Sequence, residues 1–330
     1  LKQFDVTLAG EITMDLVMYG LPEELPVEQE LLATGMALTL GGSSAITAHN
    51  LAALGSRVGF IPQIADDPFT GLCLRNLEEA GVDLSRAVRP RDGVGTGVTV
   101  LLQHETTRRT LTYSGTISAL RYEDLDLNYL ASGRHFHLSS FFLQSGLQED
   151  APRLLAAMQE AGLTTSMDTN DDPADAWQGP VLDALRHVDI FMPNERELLG
   201  ISGESNFEAG VHKLSELVPM LVVKRGSRGA IVVHEGRRST APAIPVEVKD
   251  AVGAGDSFNS GFIHAYVNGA GIDECLRFGN LCGAYSTSAS GGTQAFRNAS
   301  GIRRFFEEHG TVLGHSSRSY DESAQLMRLK

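Results

Sequence analysis

Basic residues are scarce in this sequence. Its 27 Lys and Arg stand against 41 Asp and Glu, a net charge of −14. That balance argues against a nucleic-acid partner, which needs a basic face. Cysteine is sparse too. Cys73, Cys275 and Cys282 lack metal-ligand spacing and read as reduced, buried small hydrophobes of a cytoplasmic protein. Long hydrophobic runs are missing: no apolar stretch approaches the roughly 20 residues of a membrane span. Leu1–Asp5 leads into a strand pattern rather than a signal peptide, so no membrane partner is expected. What remains is ordinary globular composition, 42% hydrophobic and 21% charged over 330 residues. It supports a sizeable core in one large α/β domain or two smaller ones.

The most informative stretch is Asp250-Ala251-Val252-Gly253-Ala254-Gly255-Asp256-Ser257-Phe258. Before it, Ala243–Val248 alternates as a strand does. After it, Phe258, Phe262 and Tyr266 recur every four residues as a helix stripe, and Gly269 to Gly271 supply a stop. The spacing therefore predicts a strand turning into a helix with two glycines at the junction. A helix start offers unpaired amides and a positive dipole end to an anion, and glycine lets backbone approach a ligand. Asp256 in the first turn has two readings. It is an N-capping acid, or it accepts the proton of a hydroxyl attacking a phosphate held by the amides.

From residue 133 onward the pattern alternates regularly. His135–Ser139, Thr164–Asp168, Asp189–Pro193, Leu221–Lys224 and Gly229–Val233 read as strands, and Asp150–Gly162 and Val181–His187 as helices. This predicts a mostly parallel sheet covered on both faces. Sites in such sheets lie beyond the carboxyl ends of the strands, where Asp168, Asn170, Asn194, Glu197, Lys224, Gly226 and the 250–256 loop all fall. Asn194 and Glu197, three apart, either cap a helix or hold Mg²⁺-bound water and a phosphate.

Toward the N-terminus, Phe4–Gly10 is a strand, and Asp15 lies among apolar neighbours. Gly41-Gly42-Ser43-Ser44 precedes a helix through Ala52 with a stop at Gly55. A serine cap accounts for its start, and the two glycines bring backbone close to a substrate. Asp67 caps the next helix. Thr96–Leu102 and Arg108–Tyr113 form a hairpin apart from the βα units, which suggests a small sheet projecting from the main fold. Arg108 and Arg109 on it either reach a substrate or only solubilise. His135 and His137 share a strand face but lack a third metal ligand, so ordinary strand placement is favoured.

The stretch Asp250–Phe258 closely resembles the C-terminal signature of the ribokinase-like (PfkB) sugar kinases, Asp-Thr-Thr-Gly-Ala-Gly-Asp-x-Phe, with Ala251 and Val252 in place of the threonines. Further matches spread the resemblance over residues 4–305. It implies an α/β, ribokinase-like three-layer fold with a mostly parallel central sheet. A small β-sheet lid would come from segments near 13–18, 34–40 and 94–118, within a kinase domain of residues 1–313 and ahead of a polar tail, 314–330.

By the same resemblance, Asp15 binds sugar hydroxyls, Gly41 and Gly42 approach the sugar, and Asn170 belongs to an Asp-x-Asn-x-Arg segment. Ile46 and Asp172 stand where the family has Asn and Arg; an acid at 172 disfavours a carboxylate-bearing acceptor. Asn194 and Glu197 match the magnesium–phosphate motif. Lys224, Gly226, Gly229 and Asn280 fall on the nucleotide side, and Asp250 and Val252 are K⁺ candidates. ATP, Mg²⁺ and K⁺ are thus the implied cofactors, and a homodimer through the lid the implied assembly.

The expected activity is ATP-dependent phosphorylation of a primary hydroxyl on a small neutral sugar. Asp256 would be the general base, and the amides of Gly253, Ala254 and Gly255 would stabilise the transferring group. A nucleoside kinase on the same fold is the near alternative. A dinucleotide oxidoreductase has only Gly253-x-Gly255 in its favour. A non-catalytic sugar-binding relative is kept in view by Ile46 and Asp172.

Overall fold

The computed structural model describes residues 2–310 apart from 90–92 and 105–106. The expected tail, 314–330, and the last positions of the expected domain lie outside the described residues. An eight-stranded sheet forms the centre. In chain order its strands are β1 (Phe4–Glu11), β4 (Val58–Gln63), β7 (Gly133–Leu138), β8 (Thr164–Met167), β9 (Ile190–Phe191), β10 (Met220–Lys224), β11 (Ala230–His234) and β12 (Arg237–Ala241). They lie in the order β12-β11-β10-β9-β8-β7-β1-β4. Pairs from β10 to β4 are parallel, and β11 and β12 add an antiparallel edge.

Successive residues of a strand point to opposite faces, and the core divides accordingly. Val222, Val232, Leu8 and Phe60 pack into one apolar cluster, while Val223, Ile231, Ala9 and Ile61 pack into the other. A sheet buried on both faces with helices over each is the three-layer α/β arrangement. The first cluster holds the helices that matter here: α1 (Ser43–Ala53), α2 (Pro68–Ala80), α4 (Ala254–Val267) and α5 (Ile272–Ser286). Against the second lies α3 (Glu195–Ser202), through Leu198 and Ile201.

A separate four-stranded sheet is built from β2 (Thr13–Tyr19), β3 (Gly35–Gly41), β5 (Gly97–His104) and β6 (Thr107–Tyr113), in the order β3-β2-β5-β6. It is the small sheet foreseen from the hairpin. β2 follows β1 after a single residue, so Asp15 is carried straight from the edge of the main fold onto the small sheet.

Two local expectations fail. Residues 243–248 form no strand. Pro245 within that stretch and Pro242 just before it each lack a backbone donor, so α4 is entered from a loop. The N-cap of α1 is Gly42, not a serine, and no side chain caps it. Among the described residues, no helix is long and apolar enough to cross a membrane.

Asp67 does cap α2, and it also ties that helix to the start of the hairpin. It accepts hydrogen bonds from Thr70 N at 2.9 Å, Thr96 N at 2.7 Å and Thr96 Oγ1 at 2.7 Å. Burial pushes its carboxyl up, but these donors win and hold it below the usual range. Asp67→Ala is therefore expected to lower stability at neutral pH by about 1–2 kcal/mol. Urea unfolding should show a reduced midpoint with an unchanged slope.

Candidate active site

The start of α4 is set by glycine. Gly253, its N-cap, has φ 71°, a left-handed value that glycine adopts freely. A Cβ there would lie 2.4 Å from the Cα of Gly292, so two loops cross where only glycines fit. The amide of Ser257 closes the first bond of the helix, onto Gly253 O at 2.9 Å. The amides of Gly255 and Asp256, just ahead of it, stand at the positive end of the helix dipole.

Asp256 sits in this first turn with 8% of its surface exposed. Burial chiefly, and then the charge of Asp168, push its carboxyl up to about 7; a hydrogen bond from Ser43 and the charge of Lys224 pull the other way. Asp15 faces it from β2, also pushed up to about 7, by burial and by the charges of Asp256 and Asp250 against a hydrogen bond from Thr13. Gly41 makes room for Asp15: a Cβ on Gly41 would fall 1.9 Å from Asp15 Oδ1. The Ser43 hydroxyl accepts from the amide of Asn170, which also donates to Ser140 Oγ at 3.2 Å. Asn170 itself holds a positive φ of 55°. Asp15, Gly41, Gly42, Asn170 and Asp256 thus converge on one cleft.

Lys224 closes the floor. Its ammonium pairs with Asp168, whose side chain is 1% exposed, and Asn259 donates to the same carboxylate oxygen. Burial alone would push Lys224 down, but Asp168, Glu197 and Asp256 together hold it above its ordinary value. A Cβ on Gly255 would lie 3.5 Å from Lys224 Nζ, which puts the cation beside the amides of the α4 start. Asn194 and Glu197 form a complete capping box at the start of α3. Asn194 accepts from Glu197 N at 3.0 Å, and Glu197 accepts from Asn194 N at 2.8 Å. Burial, and then the charge of Asp168, push the Glu197 carboxyl up.

Asp250 and Val252 occupy the flank. Asp250 accepts from Val252 N and Gly291 N, both at 2.9 Å, and from the Tyr19 hydroxyl at 3.3 Å. Val252 packs with Val17 and Leu101 of the small sheet. Gly226 is open, with no atom within 4 Å of a Cβ, whereas a Cβ on Gly229 would strike Ala241 O at 2.0 Å. Gly229 is therefore held by packing. Asn280 donates to Ala241 O and Pro242 O, both at 3.0 Å, and so staples α5 to the end of β12. Gly229 and Asn280 share this β12 end and stand apart from the carboxylates.

Two substituted positions turn out to be structural. Ile46 packs against the Gly253–Gly292 crossing. Asp172 is buried and accepts from the amides of Ala174, Ala176 and Trp177 at 3.0, 2.8 and 2.7 Å. Its carboxylate organises its own loop, and the guanidinium that the resemblance puts at this position is absent. His135 and His137 are ordinary strand residues bonded to Thr164 and Ser166. Burial holds them neutral, at about 3 and about 4.

Sequence inspection overlooked Glu11, Ser43 and Asn259. Glu11 accepts from Ser44 Oγ and Ser140 Oγ, both at 2.6 Å, and from Ser44 N at 3.2 Å, joining β1, α1 and the loop after β7. An acid directly after a strand-ending glycine was its available signal. Asn259 had one too, a polar residue three positions after Asp256 on the same helix face.

Among the described residues, no three His, Cys, Asp or Glu side chains could together hold a metal ion. Both carboxylate oxygens of Glu197 accept from Asn194, and a carboxylate so held keeps lone pairs for the waters of a Mg²⁺ ion that arrives with a phosphate.

A family model described as pfkB family carbohydrate kinase matches residues 3–298. An ATP-dependent ribose-1-phosphate kinase of Halopiger xanaduensis is 29% identical over 306 residues, covering 92% of this chain and 98% of that protein. A fructokinase of Klebsiella pneumoniae is 30% identical over 280 residues, covering 80% and 91%. An Escherichia coli chain solved in complex with ATP and Mg²⁺ superposes with a TM-score of 0.81 at 25% identity, covering 92% of this chain and 99% of its own.

A base must be ionised to take a proton, so if Asp256 is the base of a transfer reaction, its carboxyl, pushed up to about 7, sets the acid limb of the rate. Turnover should therefore fall as pH drops through about 7, in a limb that reports Asp15 and Asp256 as an interacting pair. Asp256→Asn is expected to fold normally, to lower turnover roughly 10²–10⁴-fold above pH 7, and to lose the acid limb, so that the difference from wild type narrows as pH falls. A pH–rate profile beside a thermal melt of each protein checks both.

Proposed function

The chain belongs to the pfkB family of carbohydrate kinases, and from that premise we propose that it transfers the γ-phosphoryl group of ATP to a primary hydroxyl of a small sugar. One observation carries this reading: a buried carboxylate, Asp256, with its acidity near neutral, stands in the first turn of a helix whose start leaves the amides of Gly255 and Asp256 to face an anion. The acceptor oxygen forms its bond to the γ-phosphorus as the bridging P–O bond breaks and ADP leaves. The hydroxyl proton passes to Asp256. Charge on the oxygens in flight meets the Gly253–Gly255 amides, of which Ala254 N would give up its 3.3 Å bond to Ala251 O, and the ammonium of Lys224 beside them. Asp15, Gly41, Gly42 and Asn170 orient the sugar. Glu197 would hold waters on Mg²⁺, which would neutralise charge on the phosphates, and the Asn194 amide would reach a phosphate. Gly226 lets the nucleotide approach the β10–β11 turn, and Gly229 and Asn280 shape its far end.

Asp250 and Val252 remain the proposed K⁺ position. Both carboxylate oxygens of Asp250 already accept protein hydrogen bonds, so a monovalent ion there would lean on backbone carbonyls.

The small sheet serves as the lid. Its inner face touches the 250-loop through Val17 and Leu101, and closure over the sugar would exclude water that otherwise hydrolyses ATP. Its outer face is apolar: one row, Leu38–Leu16–Val100–Leu111, crosses all four strands. Met36 at 64%, Leu111 at 58% and Tyr113 at 58% exposure extend it. Apolar faces of this kind mark contact surfaces, and a second copy of the chain is the proposed occupant.

Two measurements test these readings. ADP release with ATP, Mg²⁺ and a panel of ribose, fructose and adenosine, in K⁺ and in Na⁺, should show acceptor-dependent turnover with a sugar. Turnover with adenosine alone would instead make the protein a nucleoside kinase, and sugar binding without turnover would make it a binding relative. Sedimentation should find a dimer that Leu38→Glu combined with Leu111→Glu converts to a folded monomer; a wild-type monomer would rule the lid contact out.

A further inference from the structure

The two arginines at the start of β6 point to opposite sides of the lid. Arg109 pairs with Leu102, on the apolar outer face, and donates to Glu23 O at 3.2 Å. Arg108 pairs with Gln103. Strand alternation therefore puts it on the inner face with Asp15, Thr39, Thr99 and Thr112, which are matched across the strands.

Arg108 is exposed and, among the described residues, has neither an ion pair nor a hydrogen bond. Its charge nevertheless reaches Asp15. The other cation of the cleft, Lys224, is committed to Asp168. Of the other cleft side chains, Glu11, Asp15 and Asp256 are acids, and Ser43 and Asn170 are neutral. That lining offers a negatively charged acceptor no counter-charge, so its charged end needs a cation from elsewhere. An unpaired guanidinium on the cleft face of the lid is such a cation, and its planar fork matches a phosphate or a carboxylate. Asp172, which stood against an anionic acceptor on sequence grounds, is tied up by three amides of its own loop.

We propose that Arg108 is a specificity residue that binds an anionic substituent, a phosphate or a carboxylate, at the end of the acceptor remote from the hydroxyl offered to Asp256. The idea rests on the kinase reading and names the acceptor class for the same site.

The test uses matched acceptors that differ in charge: ribose against ribose 1-phosphate, and glucose against gluconate. ADP release with ATP and Mg²⁺ and calorimetric binding without ATP are measured for the wild type, Arg108→Gln and Arg108→Lys. The expected result is a lower KM for one anionic member than for its neutral partner. Arg108→Gln should raise that KM about 10–100-fold with kcat little changed, in keeping with the loss of a charge-assisted bidentate contact. Arg108→Lys should recover part of the loss, and the neutral partner should be unaffected. The pair that responds tells phosphate from carboxylate. Equal or better use of both neutral sugars, or anionic KM values indifferent to Arg108→Gln, overturns the proposal while leaving a kinase standing. Arg108-dependent binding of an anionic acceptor that never releases ADP supports the Arg108 site and defeats the kinase reading instead. Absence of both turnover and Arg108-dependent binding defeats both.

Discussion

The structure depends on keeping several carboxylates in one place that water hardly reaches. Asp168, Asp256, Glu197, Asp15 and Glu11 are all buried at the carboxyl ends of the central strands or beside them. Burying charge in this way is costly, and the protein offsets it in two ways. Lys224 is placed among them and bound to Asp168, with the Asn259 amide on the same oxygen. The other acids are shifted upward by burial, so that protonation relieves what pairing does not. A carboxylate whose acidity lies near neutral is also the kind that takes up and releases a proton readily. The electrostatic stress and the proposed chemistry share one origin.

Glycine does the complementary work of access. Gly41 leaves the space that Asp15 fills, and Gly253 and Gly292 let two loops cross beneath the start of α4. At each of these contacts a methyl group would collide with backbone or with a carboxylate. The hydrogen bonds of Glu11 and Asp250 then fasten the strand ends, α1, the 290-loop and the small sheet to one another. The cleft is therefore bounded on one side by the rigid ends of a buried sheet. On the other side lies a sheet whose inner face is polar except where it meets Val252.

Much of this was legible in the residue order. The alternation of strands and helices after residue 133, the hairpin, the Asp67 cap and the helix after Gly255 follow from local periodicity and capping chemistry. Those are properties of neighbouring residues. The strand expected at 243–248 failed because alternation there competes with Pro245 inside the stretch and Pro242 just ahead of it. The serine cap of α1 failed because the Ser43 hydroxyl finds Asn170, a residue far along the chain. The partners of Asp172 were hidden for the same reason: which groups a carboxylate faces depends on how its loop closes.

The order of residues alone determined the family signature, the three-layer architecture and the candidacy of Asp256, because each is written in short-range spacing. Tertiary structure decided which candidates meet. It brought Glu11, Ser43 and Asn259 into the cleft, set Gly229 and Asn280 apart at the end of β12, and gave Lys224 to Asp168. It also turned Arg108 inward and Arg109 outward. These outcomes rest on strand register and on long-range desolvation, and neither quantity exists until the sheet has formed.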